Sequence, residues 1–346
     1  MAFLVLENGA VFEGQRIGTV GDATGELVFT TGMVGYVETL TAPAFAGQLV
    51  VQTFPLIGNY GVAPQDAEGQ PALCGYVVRE LCDQPSNFRS EGTLDEFLKQ
   101  HGIVGLCGVD TRELTRVLRE NGSMNAVICD TVPQDISALK DYAIRDAVAQ
   151  VSTKAPSVYP ATDARRFAVT VLDLGVRRSA IESLCARGCE VTVVPHDTPA
   201  DAILAAKPDG VVLSGGPGDP RKNAALIGTA KALFGKVPLF GIGLGHQLVA
   251  LAVGGNTKKL KHGHRGANQP VRCDGDSRTY ITSQNHGYAV ETDSLPAFAA
   301  VTHVNANDGT CEGITYADTP CITVQFDPAP RDYDRFITLM GGEPHA

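Results

Sequence analysis

Between residues 167 and 253 short apolar runs alternate with longer amphipathic stretches, and few folds tolerate that rhythm. Strands are expected over 167–173, 190–194, 210–214 and 238–242, with helices over 177–187, 199–206, 223–235 and 245–253. The runs are rich in Val, Ile and Leu with little polar interruption, as in Ala168-Val-Thr-Val-Leu172, so they are suited to burial on both faces. A helix between each pair of strands permits parallel pairing, which predicts a mainly parallel sheet flanked by helices. After Gly254 the rhythm shortens to strand candidates near 279–283, 287–291, 298–303, 312–316 and 321–326, closed by a helix at 331–340. That tail reads as an antiparallel extension of the sheet.

The first 130 residues follow a different logic. Glu7-Asn8-Gly9 separates apolar segments at 3–6 and 10–13, and Asn-Gly is a strong hairpin signal. Further strands are expected at 26–31, 48–54, 73–80, 104–109 and 124–129. Thr93-x-x-Glu96 opens a helix ending at Gly102, and Asp110-x-x-Glu113 opens another before Gly122. Grouped strands with two late helices predict a mixed α+β domain over 1–150. Residues 131–165 carry Pro133, Pro156 and Pro160 among small polar residues. A linker is therefore expected at 151–165 and a second domain at 166–346, giving an α/β chain overall.

Charge and cysteine usage remove several functional classes. The formal net charge is −10, without a dense Lys/Arg run, so no nucleic-acid or acidic-membrane footprint is expected. No run approaches a membrane span, and the amino terminus lacks the pattern of a secretory signal. The nine cysteines are scattered without a C-x-x-C pair, which points to reduced thiols in the cytoplasm and to no metal site.

Chemistry is most strongly suggested at 237–251, a buried strand, a glycine turn and a helix. Gly241 and Gly245 flank Gly243 as in the elbow that projects a nucleophile at the carboxyl end of a sheet. Gly243 itself offers no side chain. A dinucleotide loop is the alternative, but the third glycine falls one residue early for G-x-G-x-x-G, and no acidic residue lies between 254 and 273. Ser214-Gly-Gly-Pro-Gly-Asp-Pro220 reads either as a tight turn or as a loop whose N–H groups face the elbow; both leave carboxyl ends of neighbouring strands, which favours the second reading. His286 in Gln284-Asn-His-Gly-Tyr288 reads as a structural histidine, and His246 and Gln247 as polar residues of a first helical turn. Gly263-His-Arg-Gly-x-Asn268 reads as a polar loop, and Asp332 with Asp334 as a solvated helix face.

Taken together, Leu213-Ser-Gly-Gly-Pro-Gly-Asp-Pro220, Phe240-Gly-Ile-Gly-Leu-Gly-His-Gln-Leu248, Gly263-His-Arg-Gly-Ala-Asn-Gln-Pro-Val271 and Ser283-Gln-Asn-His-Gly-Tyr288 resemble class I glutamine amidotransferases. With Phe29-Thr-Thr-Gly-Met-Val-Gly-Tyr36, Pro55-Leu-Ile-Gly-Asn-Tyr-Gly61, Ser86-Asn-Phe-Arg89 and Gly108-Val-Asp-Thr-Arg-Glu-Leu-Thr115, the chain resembles the carbamoyl phosphate synthase small-subunit family over nearly its whole length. The resemblance implies an amino-terminal small-subunit domain followed by an amidotransferase domain. It also implies hydrolysis of L-glutamine and delivery of ammonia to a large synthetase subunit, for carbamoyl phosphate used in arginine and pyrimidine synthesis. ATP and Mg are expected only on that partner, and no cofactor in this chain.

The family's elbow cysteine and its His-Pro-Glu match Gly243, Asp327 and Ala329, so all three catalytic groups are absent. The segment after Ala329 also reads as shorter than the family pattern. The glutamine pocket is carried over as Gly216, Gly218, Leu244, Gln247, Asn285, Gly287 and Tyr288. Ala44 replaces a serine, and Gly215 stands where asparagine is frequent. Cys321 begins the strand that carries Asp327, but six extended residues span roughly 20 Å, too far for it to replace the nucleophile. The expected role is a small subunit with lost glutaminase activity that completes the synthetase. The rivals are a detached glutamine-binding regulator and normal activity through unrecognised residues.

Overall fold

A computed structural model describes residues 1–275 and 278–342. It divides into two compact units, one of residues 1–147 with 261–266, the other of residues 148–260 with 267–346. The division is not contiguous as the sequence suggests, because main-chain bonds tie the short return segment to the first unit. Ser123 N–H donates to Lys261 O (2.8 Å) and Thr31 N–H to Arg265 O (3.4 Å).

In the first unit seven strands close into a barrel, in the order Ala2–Leu6, Val11–Gly18, Val104–Cys107, Gly75–Val77, Gln48–Gln52, Ala23–Thr30 and Met124–Cys129. The first two form the expected Asn-Gly hairpin, pairing Val5 with Val11. Closure depends on three consecutive parallel pairings, Ala23–Thr30 with Gln48–Gln52, then Gly75–Val77, then Val104–Cys107. Leu4, Leu27, Leu49, Val77, Leu106 and Ile128 pack with Leu114 and Leu118 of the helix Thr111–Asn121. Both predicted helix starts form. Thr93 and Glu96 complete a reciprocal capping box, and the Asp110 side chain accepts from Glu113 N–H (3.0 Å).

The second unit holds a ten-stranded sheet. Its parallel centre runs Cys189–Pro195, Phe167–Asp173, Gly210–Leu213, Leu239–Ile242 and Cys321–Val324. Burial on both faces accounts for the unbroken apolar runs: Val169, Val171, Leu213, Leu239 and Phe240 are each at most 1% exposed. Beyond Cys321–Val324 the sheet continues antiparallel through Cys311–Tyr316 and onward to Ala299–Asn305. Two long strands replace several short expectations. Asn256–Cys273 absorbs the segment expected as a polar loop, and Thr279–Glu291 is continuous across 283–287. The polar residues disguise both strands: Thr279–Glu291 alternates buried and partly buried positions from Thr282 to Gly287, whereas Asn256–Cys273 exposes Lys258 and Lys259 together and buries Gly263, His264 and Arg265 in succession. The stretch expected as a linker contributes the edge strand Ser157–Tyr159, paired antiparallel to Cys189–Pro195 and too exposed to show an apolar pattern. Among the described residues no helix is long and apolar enough to cross a membrane.

Candidate functional site

The elbow lies at the centre of the parallel sheet, between Gly210–Leu213 and Cys321–Val324. Its helix, Leu244–Ala252, is buried at every position but Leu251, so the turn is fixed from all sides. Gly241 and Gly245 permit the close crossing of strand and helix. A Cβ on Gly245 would collide with Leu213 O, and one on Gly241 would lie 2.9 Å from Gly245 O. Gly245 N–H donates instead to Ser214 O (3.1 Å).

At the apex Gly243 has φ 54° and ψ −107°, a conformation that side chains rarely adopt, and its N–H donates to Val324 O (2.9 Å). A Cβ there would meet Gly215 Cα at 3.3 Å and Gln325 O at 4.0 Å. Space therefore admits a side chain with a shift of a few tenths of an ångström, and the backbone conformation is what resists it. The turn retains the form that projects a nucleophile, with nothing projected.

The loop after Gly210–Leu213 meets this turn, as the sequence suggests. Ser214 Oγ accepts from Leu174 N–H (2.9 Å) and donates to Gly215 O (3.0 Å). Gly216 is pressed against Leu174 O, and a Cβ on it would lie 3.1 Å from Leu244 Cδ2. Gly218 has φ 92°. Of this loop, Gly215 Cα lies nearest to where a Cβ on the apex would stand.

The far wall is joined to the elbow helix through Gln247, which is 3% exposed. Its amide nitrogen donates to Tyr288 O and to Gln325 Oε1, both at 2.8 Å. Both amide hydrogens are thus engaged within the protein, so Gln247 fixes the segment carrying Asn285, Gly287 and Tyr288. Asn285 Nδ2 is buried without a hydrogen-bond partner among the described residues. His286 bridges Tyr288 O (2.8 Å) and Gln284 Oε1 (3.1 Å), which fits the structural reading. Ala44 belongs to the first unit, in the single turn Pro43–Phe45, and carries only a methyl group.

Asp327 follows Cys321–Val324, two residues beyond Gln325. Its N–H donates to Ser283 O (3.0 Å), and its carboxylate is ion-paired with the Arg177 guanidinium. Sequence reasoning missed Arg177; the available signal was a cation just past the carboxyl end of the strand Phe167–Asp173, where open sheets place ligands. Ala329 caps the helix Pro330–Leu339, and its N–H donates to Asp332 Oδ2 (2.9 Å). The expectation that Asp332 and Asp334 form a solvated face is overturned. Asp332 is 1% exposed, with its carboxyl pKa raised by burial, and Asp334 accepts from Arg187 Nε (2.7 Å). Capping demand from Ala329 and the buried cation stem of Arg187 draw both carboxylates inward.

His246 is fully buried, with Nδ1 2.8 Å from Thr323 Oγ1, and burial pulls its pKa down to about 3. It is neutral and aimed at the neighbouring strand. All nine cysteines are free thiols. Burial pushes Cys189 and Cys311 up to about 12 and raises Cys321 as well, so the most deeply buried thiols are the least available as thiolates.

The family model described as carbamoyl-phosphate synthase small chain, CPSase domain, matches residues 4–128, and that of class-I glutamine amidotransferase matches residues 170–329. The carbamoyl phosphate synthase small chain of Syntrophotalea carbinolica is 45% identical, over 98% of this chain and 97% of its own length. That of Bacillus caldolyticus is 46% identical, over 97% and 96% respectively. A solved glutamine amidotransferase from Thermotoga maritima is 16% identical with a TM-score of 0.38, covering 51% of this chain and 81% of its own.

Proposed function

The chain belongs to the carbamoyl phosphate synthase small-chain family, and we propose that it is a member without glutaminase activity, completing a cytoplasmic synthetase that draws on free ammonia. The large, ATP-using subunit is its partner, and carbamoyl phosphate for arginine and pyrimidine synthesis is the product of the pair. One observation carries the reading: a fully formed elbow whose apex, Gly243, has no side chain.

Hydrolysis of glutamine by this route needs a nucleophile to attack the amide carbon, a base to take its proton, and an acid to return it to departing ammonia. Gly243 cannot attack. Asp327 stands where the base belongs, but its carboxylate is held by Arg177. Ala329, at the orienting position, contributes only its main chain to a helix cap. Losing all three members removes the covalent path as a unit, while leaving the sheet and elbow that shape the subunit.

The cleft also favours retention of glutamine as a ligand without turnover. Gly216 and Leu244 keep their main-chain positions beside the apex, and Asn285 Nδ2 is unpartnered among the described residues. Bound glutamine would then act as a signal to the synthetase. The test is carbamoyl phosphate formation by the complex with its large subunit, supplied with either ammonium or glutamine. Ammonium-driven synthesis that glutamine cannot replace is expected. Glutamine-driven synthesis at a comparable rate would overturn the reading, and failure to recover any complex would remove the synthetase role.

A further inference from the structure

The ion pair of Arg177 with Asp327 joins loops that leave two non-neighbouring strands of the second unit's sheet. Arg177 precedes the helix Arg178–Cys185, just past the strand Phe167–Asp173, and Asp327 follows the strand Cys321–Val324. Those strands are separated in the sheet by Gly210–Leu213 and Leu239–Ile242, so the two loops start three strand spacings apart, roughly 14 Å. The strands between them are the ones whose carboxyl ends carry the loop 214–220 and the elbow. A link between the outer loops therefore runs past the apex.

Packing fixes the side on which it runs. Ile181 and Leu184 of Arg178–Cys185 cluster with Phe336 and Ile337 of Pro330–Leu339 and with Val212, whereas Leu244, Leu248 and Val249 of the elbow helix cluster with Val211 and Leu213. Alternate residues of one strand point to opposite faces, so the two helices beside the ion pair lie across the sheet from the elbow helix. Asp327 is held near the apex by its chain: Gln325 O, two residues earlier, lies 4.0 Å from where a Cβ on Gly243 would stand, and Asp327 N–H donates to Ser283 O (3.0 Å). A second pair, Arg187 with Asp334 (2.7 Å), ties the same two helices farther along the chain from the apex.

We infer that Arg177 and Asp327 form a clasp that closes this side of the elbow cleft, and that a ligand reaching Gly243 must find it open. The inference rests on the reading of the cleft as a retained glutamine pocket and adds how entry to it is controlled. The two side chains are 28% and 38% exposed, so water screens the pair, and it shifts the balance between closed and open by up to about fivefold. Such a clasp is loosened by salt and lowers apparent ligand affinity only by the fraction closed. A neutral histidine at 327 would offer Arg177 no negative charge, so the loss of the base and the gain of the clasp are one substitution.

Gly215 supplies a reporter position. Its Cα lies 3.3 Å from where a Cβ on Gly243 would stand, a Cβ of its own meets no atom within 4 Å, and its φ lies outside the left-handed region. The experiment follows alkylation of Gly215→Cys in the full chain by iodoacetamide, read by mass spectrometry of the peptide that contains it and expressed per thiolate from the pH dependence of the rate. Adding Asp327→Asn is expected to speed labelling about three- to fivefold, and exchanging the charges, Arg177→Asp with Asp327→Arg, to return it to the rate of the reporter chain. Raising salt should speed labelling while Asp327 is present and leave the Asp327→Asn chain unchanged. Thermal melting establishes that each chain is folded. Should the charge exchange fail to fold, Arg177→Lys takes its place and is expected to stay within about twofold of the reporter chain. Equal labelling with and without Asp327→Asn would overturn the clasp, as would a folded chain with exchanged charges, or Arg177→Lys in its place, that labels as fast as Asp327→Asn. Neither outcome bears on the loss of glutaminase, which stands or falls on ammonia release by the parent.

Discussion

Replacing Gly243 by alanine should destabilise the second unit, although the added methyl group has room. The nearest atom, Gly215 Cα at 3.3 Å, needs to yield only slightly, and a Cβ on Gly215 would itself find open space. The cost lies in the backbone: φ 54° with ψ −107° is sparsely populated by any residue with a Cβ, which costs about 1–3 kcal/mol. For a unit of this size that lowers the melting temperature by several degrees. Gly228→Ala makes the matched control. It is exposed within the helix Ala224–Leu233, with nothing near the position of its Cβ, and should gain roughly 0.5–1 kcal/mol. Urea titration of both variants measures the contrast. An alanine at 243 as stable as the parent would refute the assigned apex conformation. Gly243→Cys should suffer the same strain and still release no ammonia, since its thiol, with a pKa of about 8.5, is only a few per cent ionised at pH 7 and has no base beside it. Gly243→Cys with Asp327→His and Ala329→Glu should do better than any single change. Ordinary turnover by Gly243→Cys alone would show that Asp327 and Ala329 are not the lost partners.

Other perturbations have signs fixed by the structure. His246 and His303 are buried with pKa values drawn down to about 3 and about 4, mainly by desolvation. The folded state therefore resists protons that the unfolded chain accepts below about pH 6.5, and stability should fall by about 1.4 kcal/mol per pH unit per histidine down to those values. His246→Asn should remove about one proton from the measured linkage, and an unchanged slope would contradict its buried neutral state. Asp332 has a raised pKa, so its charge opposes folding increasingly as pH rises through the folded value. Asp332→Asn should gain on the parent between pH 4 and pH 8; a constant difference would count against this. Gln247→Ala takes one donor from Tyr288 O and the donor from buried Gln325 Oε1, and should cost about 1–3 kcal/mol, read by chemical denaturation. Calorimetry at millimolar glutamine should show weak binding, and a silent titration with folded protein would show that the pocket is vestigial.

The parallel core was legible because strands buried on both faces leave an unmistakable apolar run, as in Phe167–Asp173, and because glycine spacing at 241, 243 and 245 admits few structures. Capped helices were legible for the same local reason, with Thr93 and Asp110 each answering unpaired N–H groups. Barrel closure was not, since it depends on long-range parallel pairing of Gln48–Gln52 and Gly75–Val77, which no local pattern encodes. The long strand Asn256–Cys273 was hidden by its lysines and histidines. At the site, the bare apex of the elbow could be read from Gly243 alone. The ion pair of Arg177 with Asp327 could not, because its partners lie 150 residues apart and meet only through the sheet. Nor could the inward turn of Asp332, whose burial follows from a cap that Ala329 cannot make with its own side chain.

The central claim, that this small subunit has an intact elbow and no glutaminase, is tested most directly by following glutamine labelled with ¹⁵N at its side-chain amide by NMR, in the presence of the purified complex with its large subunit. The account predicts no labelled ammonium above the uncatalysed background, in a preparation that makes carbamoyl phosphate from added ammonium. Labelled ammonium formed in proportion to the protein, and co-eluting with it through successive columns, would contradict it.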